Sequence, residues 1–226
     1  MIKIKNDIIK TNLFSCPIYK IRIDPNSYDK EKIINDIKYN KSLKSTRNDT
    51  QYNFGKCDIH HSYQDFDNVN FRPINYEKLI DVYLEIFNEF FNKEISTIKE
   101  FGFDFLIQNY SVMTEGQWLS SHNHVRHGDD FASIHYLNFK NNHMPTCFHN
   151  PATFAPFIKM IRPVLMNTLD NSATDNSYLW EHFKFPAEED DFIIFPAALN
   201  HEVKVQRPTK EPRITISSNV RINENR

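Results

Sequence analysis

The chain has 226 residues, 40% of them hydrophobic and 14% aromatic, with a net charge of −2 at pH 7. That length favours one large domain, 1–226, and 19 Phe with 10 Tyr supply enough ring surface for a substantial core. The near-neutral charge gives no clear sign of a nucleic-acid partner or an anionic membrane. Cys16, Cys57 and Cys147 are too few and too scattered for a disulfide framework or a thiolate zinc motif. With no signal-peptide pattern and no apolar run of membrane-spanning length, a cytoplasmic protein is expected.

Residues 1–24 read as strand-like, ending in LFSCPIYKIRI. Residues 27–40 predict a helix with Ser27 or Asp29 as its cap and Ile33, Ile34 and Ile37 at helical spacing. The stretch 41–73 is polar and without period, a long loop that could cover a site. Residues 75–99 carry the strongest helical pattern, with Leu79, Ile80, Val82, Tyr83, Ile86, Phe87, Phe90 and Phe91 on one stripe. From residue 101 the chain turns to short aromatic and β-branched segments separated by turn residues. These are FGFDFLIQNYSVM, FASIHYLNF, SYLWEHFKF, DFIIFPAAL, HEVKVQ and RITISSNVRI. The expected fold is α+β and mainly β: N-terminal strand and supporting helices over 1–100, packed on one sheet of a sandwich or barrel over 101–226.

Histidines punctuate the strand-rich half. His122 and His124 are two apart, so at the end of a strand their side chains share a face and form a metal half-site. His201 follows an apolar strand and a Pro turn, well placed at a barrel mouth. Three imidazoles leave coordination positions open for substrate, which suits Fe(II) better than structural zinc. Arg213 opens the next strand and could anchor a distal carboxylate through its planar fork, with Thr215 two residues on along the same face. Taken singly, each of these residues also reads as an ordinary polar loop or surface group.

In order, the segments NY (109–110), HNH (122–124), SIHYL (133–137), PTCFHNP (145–151), FPAALNHEV (195–203) and PRITISSN (212–219) resemble the 2-oxoglutarate and Fe(II)-dependent oxygenases. The likeness is greatest to a bacterial and phage branch with an HxH…H metal motif, and LFSCPIYKI and the long helix also fit it. The resemblance implies a double-stranded β-helix (jelly-roll, cupin-like) as catalytic core. It implies Fe(II) on His122, His124 and His201, and 2-oxoglutarate held by Arg213 and Thr215. It also implies co-substrate contacts from Tyr110 and Tyr136, although both read equally as barrel-lining rings.

The implied activity is a dioxygenase reaction: O2 and 2-oxoglutarate are consumed, succinate is formed, and a small-molecule or peptide substrate, such as a prolyl peptide or amino acid, is hydroxylated. A homodimer is compatible with it. Two departures stand out. His124 occupies the position where most relatives carry a carboxylate, which leaves Asp129 or Asp130 as alternative ligands and His127–Gly128–Asp129 as a second-ranked HxD. Asn150 stands where relatives of the branch often carry Asp. Two rival readings remain: a cupin-type metal enzyme that does not use 2-oxoglutarate, and a non-enzymatic β-sandwich interaction protein. Residues 41–73 and 167–177 are the candidate substrate lids.

Overall fold

The computed structural model describes residues 16–43, 59–95, 100–125, 128–152 and 180–224. The parts of the expected N-terminal strand before Cys16, most of the 41–58 stretch and the 167–177 lid candidate lie outside the described residues.

Strand β1 (Tyr19–Arg22) leads to helix α1 (Lys30–Ser42). That helix begins later than expected because Ser27 closes a turn instead, its N–H and hydroxyl both donating to the Asp24 carbonyl. Asp29 stands at the N-cap without a side-chain cap bond. Next come the two-residue strand β2 (His60–His61), a 3-10 helix (Ser62–Asp67) and the long helix α2 (Glu77–Glu94). Eight strands follow: β3 (Phe101–Met113), β4 (Leu119–His122), β5 (Phe131–Asn138), β6 (Thr146–His149), β7 (His182–Lys184), β8 (Asp191–Pro196), β9 (His201–Val203) and β10 (Arg213–Glu224).

The major sheet has the order β1-β8-β5-β10-β3-β2 and the minor sheet β4-β9-β6-β7, with every pairing antiparallel. The eight strands from β3 onward thus wind between two four-stranded layers, which is the topology of a double-stranded β-helix. Gly116 makes the turn into β4 at φ 79°, a conformation that a side chain would strain.

Alternation along each strand separates two cores. On the outer side of the major sheet, α1 and α2 bury Leu79, Tyr83, Phe87, Phe90 and Phe91 against Tyr110, Val112, Leu137, Phe192, Ile194, Ile214 and Ile216. Tyr83 stacks on Phe192 with ring centroids 4.6 Å apart, and its hydroxyl bonds His135 Nδ1 at 2.8 Å. On the inner side, Ala132, Ile134, Tyr136, Ile193 and Phe195 of the major sheet meet Phe148 of the minor one. The acidic run 188–191 ties the N-terminal elements to β8. Lys30 reaches Glu189 at 2.9 Å and Asp190 at 2.6 Å, and Arg22 Nε donates to Asp191 at 2.8 Å.

Phe87 has no exposed surface and touches rings from α2, β3 and β8. Phe87→Ala is expected to cost about 3–5 kcal/mol by urea unfolding. Phe66→Ser, at a side chain 75% exposed, should change stability by less than about 0.5 kcal/mol.

Candidate metal centre and co-substrate pocket

β4 and β9 are neighbours in the minor sheet, and their register sets His122 directly opposite His201. The chain leaves the strand at Asn123, and His124 is then fixed by its own backbone N–H, which donates to the Ala197 carbonyl at 2.9 Å. One ligating atom from each of His122, His124 and His201 lies within 4.8 Å of the others. The three rings sit 4.3–5.5 Å apart, centroid to centroid.

Two of the rings have a fixed tautomer. His122 Nδ1 donates to the Ser120 carbonyl at 2.9 Å, and His201 Nδ1 to the Leu199 carbonyl at 3.0 Å. Each is a bond to the carbonyl two residues back, and each leaves the Nε2 lone pair as the donor for a cation. Burial lowers the His122 pKa and pushes His201 down to about 3, with the neighbouring His122 adding to the effect. Both rings are therefore neutral at physiological pH, the protonation state that a metal ligand requires. Phe148 and Phe195 pack on His201 with centroids 5.8 and 4.9 Å away, so its inner side is dry.

The carboxylates that follow HNH in sequence are engaged elsewhere. Asp129 Oδ2 accepts from Asn219 Nδ2 at 2.5 Å, and Asp130 Oδ2 accepts from the Ile222 N–H at 2.7 Å. β10 thus holds both, and neither belongs to the three-histidine group. His127 lies outside the described residues. Asn150 spans the β6–β7 end, donating from Nδ2 to the Trp180 carbonyl at 2.7 Å.

Arg213 is 2% exposed. Its NH1 donates to Thr215 Oγ1 at 3.2 Å and approaches Met113 Sδ at 3.5 Å, while Nε has no hydrogen-bond partner among the described residues. No carboxylate of the described residues lies within ion-pair distance. Burial lowers its pKa from the ordinary arginine value. Thr215 is bonded in turn to Ser111 across the β10–β3 pair at 2.9 Å. Tyr136 projects inward beside this group, its ring 5.5 Å from the guanidinium carbon and its hydroxyl donating to Thr146 at 2.8 Å.

Tyr110 is not part of this assembly. It pairs with Ile216, which faces the helices, and its hydroxyl makes a short bond to Asp65 under the 3-10 helix. The inward residue of that strand is its neighbour Ser111. Sequence reasoning also missed His61. It lies opposite Ser111 on β2, buried, and its pKa is pushed down to about 4, chiefly by burial, with His60 and then His122 adding to the effect. The only available sign was the doublet His60–His61 in an otherwise unreadable stretch.

Residues 110–219 match a family model described as "Putative 2OG-Fe(II) oxygenase". The match spans the three histidines and Arg213. With the double-stranded β-helix and the three-histidine cluster, the match makes the protein a non-haem iron dioxygenase. The matched segment, just under half of the chain, is that of a 2OG-Fe(II) oxygenase, a family whose cofactor set is Fe(II), 2-oxoglutarate and O2. No curated protein matches the sequence.

Among solved structures, an oxidoreductase of the 2OG-Fe(II) oxygenase family from Burkholderia pseudomallei is 12% identical at a TM-score of 0.42, over 66% of this chain and 60% of that one. The chain thus spans less than two thirds of that relative. A prolyl-4-hydroxylase from Pseudomonas putida is 12% identical at 0.46, covering 92% and 93%. A prolyl hydroxylase from Trichoplax adhaerens, in complex with a hypoxia inducible factor oxygen degradation domain peptide fragment, is 10% identical at 0.49, covering 90% and 82%. These are remote likenesses, and the family assignment stands on the 110–219 match.

The buried histidines set an acid limit. Burial holds His135 and His201 down to about 3 and His61 to about 4, against an ordinary 6.5. Between those values the unfolded chain binds protons that the folded chain refuses. The metal-free protein should therefore keep its full stability above about pH 6.5 and lose it steadily as pH falls toward 4. Urea midpoints measured in chelator from neutral pH downward check this, and a flat profile would contradict it.

Proposed function

We propose that this protein is an Fe(II)- and 2-oxoglutarate-dependent hydroxylase, with iron held by His122, His124 and His201 and the distal carboxylate of 2-oxoglutarate held by Arg213 with Thr215. Arg213 carries this reading. An uncompensated guanidinium in a protein interior costs several kcal/mol, so the position calls for an anion that the described residues do not provide. Its fork matches a carboxylate in two parallel hydrogen bonds, and Thr215 adds a hydroxyl already oriented by Ser111. The cupin reading gives Arg213 no counter-ion and no task.

Bound together, Fe(II), 2-oxoglutarate and O2 supply the oxidising chemistry, in which decarboxylation to succinate is coupled to hydroxylation of substrate. The protein's part is placement and shielding. Ser120 and Leu199 hold two imidazoles in the ligating tautomer. Tyr136 walls the guanidinium, and Phe148 and Phe195 keep water from His201. Three neutral imidazoles and one guanidinium leave the site cationic when metal is added, which favours a dianionic co-substrate.

A small molecule or peptide is the substrate class we propose, with prolyl peptides and free amino acids as the first to assay. A net charge of −2 supports these over a nucleic-acid duplex. No helix of the described residues is long and apolar enough to cross a membrane.

Anaerobic addition of Fe(II) and 2-oxoglutarate should produce a visible metal-to-ligand charge-transfer band, and succinate release should identify substrate from the panel. His122→Ala and His201→Ala should abolish both. Arg213→Met should weaken 2-oxoglutarate binding on the order of a hundredfold or more. The same variant should leave the metal-free protein at least as stable as wild type, since it removes an uncompensated charge. A folded wild-type protein without the band, or a band unaltered in Arg213→Met, would refute the assignment.

A further inference from the structure

The minor sheet carries a second group of metal-ligating side chains on the face turned away from the histidine centre. Cys147 on β6 lies opposite Glu202 on β9 and Lys184 on β7, and His149 lies opposite His182. Strand alternation sends their neighbours Phe148 and His201 inward, where the two rings pack together, and sends Cys147 and Glu202 outward. One donor atom each from Cys147, His182 and Glu202 lies within 4.8 Å of the others. His149 borders the same space. Its ring meets that of His182 edge-on at 4.6 Å, and its Nε2 is 3.2 Å from Glu202 Oε1.

The polar bonding here is incomplete. His149 Nε2 is shut off from water and makes no hydrogen bond of good geometry among the described residues, Glu202 being its ion-pair partner only when the ring is protonated. Glu202 is held by the Lys204 ammonium at 2.5 Å, a cation already drawn to this spot. Cys147 is 1% exposed although it faces outward.

We propose that Cys147, His182 and Glu202, with His149 as fourth ligand, form a second metal site that takes zinc or a similar borderline-soft divalent cation. A sulfur, two imidazole nitrogens and a carboxylate oxygen are the donor set of tetrahedral zinc and a poor one for magnesium or calcium. Zinc bonds of about 2.0–2.3 Å place tetrahedral donors roughly 3.3–3.8 Å apart. The cluster therefore closes by about an ångström, and β7, whose residues are exposed, can supply the movement. On binding, the Cys147 thiol proton passes to solvent and the metal displaces Lys204 from Glu202.

Such an ion would tie β7, β6 and β9 together on one side of the sheet, while β9 presents His201 on the other. The site is independent of the proposed activity, because none of its donors faces the histidine centre.

Cobalt titration of the full chain under reducing conditions tests it. Thiolate-bound Co2+ gives a near-ultraviolet charge-transfer band that a cluster of three histidines cannot give. The band should appear in wild type, persist in the His122→Ala/His124→Ala double variant, and be displaced by stoichiometric Zn2+. It should be lost in Cys147→Ser and in His182→Ala. Absence of the band in folded wild-type protein, or its survival in Cys147→Ser, overturns the proposal. If Cys147→Ser does not fold, His182→Ala at the exposed β7 position decides: an unchanged band there overturns the proposal as well.

Discussion

β10 pairs with β3 along its whole length and with β5 on its other edge, which makes it the central strand of the major sheet. Alternation on this one strand fixes what lies on either side. Ile214, Ile216 and Val220 face the helices and anchor the aromatic layer under α1 and α2. Arg213 and Thr215 face the minor sheet, and the guanidinium stands buried there beside Ser111 and the inward rings of the second core. A slip of one residue in the β10–β3 register would bury the guanidinium under α2 and turn isoleucines into the pocket. The helical layer and the inward placement of Arg213 and Thr215 therefore depend on the same pairing.

The minor sheet repeats this logic at smaller scale. β9 has three residues, and the middle one, Glu202, faces opposite to His201 and Val203. A strand so short can hold a histidine accurately only because both of its edges are paired, to β4 and to β6. The His122–His201 pairing across β4 and β9 then fixes two imidazoles with one register, and backbone carbonyls orient both rings. The carboxylate found in most members of the superfamily is replaced by His124, and the nearby Asp129 and Asp130 brace β10 instead. Among the described residues, no carboxylate joins the three-histidine group.

Much of the fold was legible in the chain. The 3.6-residue stripe of α2 is a strong signal because one face is buried over many residues, whereas β5, β8 and β10, buried on both faces, were legible as short apolar or β-branched runs between turn residues. α1 was found with its start displaced, since Ser27 serves a turn rather than a cap. β2 was missed, because two residues give no period. Of the site, His122, His124, His201, Arg213, Thr215 and Tyr136 were picked out by order and spacing, and the structure gathers the histidines in one cluster and the other three in one pocket. Tyr110 was picked out too, and it faces the helices, because which side of β3 lines the pocket is set by register with β10.

The sequence by itself determined the elements with long amphipathic periods and the two-layer β architecture, because local spacing encodes which side chains can share a face. Tertiary structure alone decided that Asp129 and Asp130 bind β10, that Ser111 rather than Tyr110 looks inward, and that His61 stands beside His122. It also brought Cys147, His149, His182 and Glu202 to one patch. Each of these outcomes depends on strand register across residues far apart in the chain, and no local pattern carries that information.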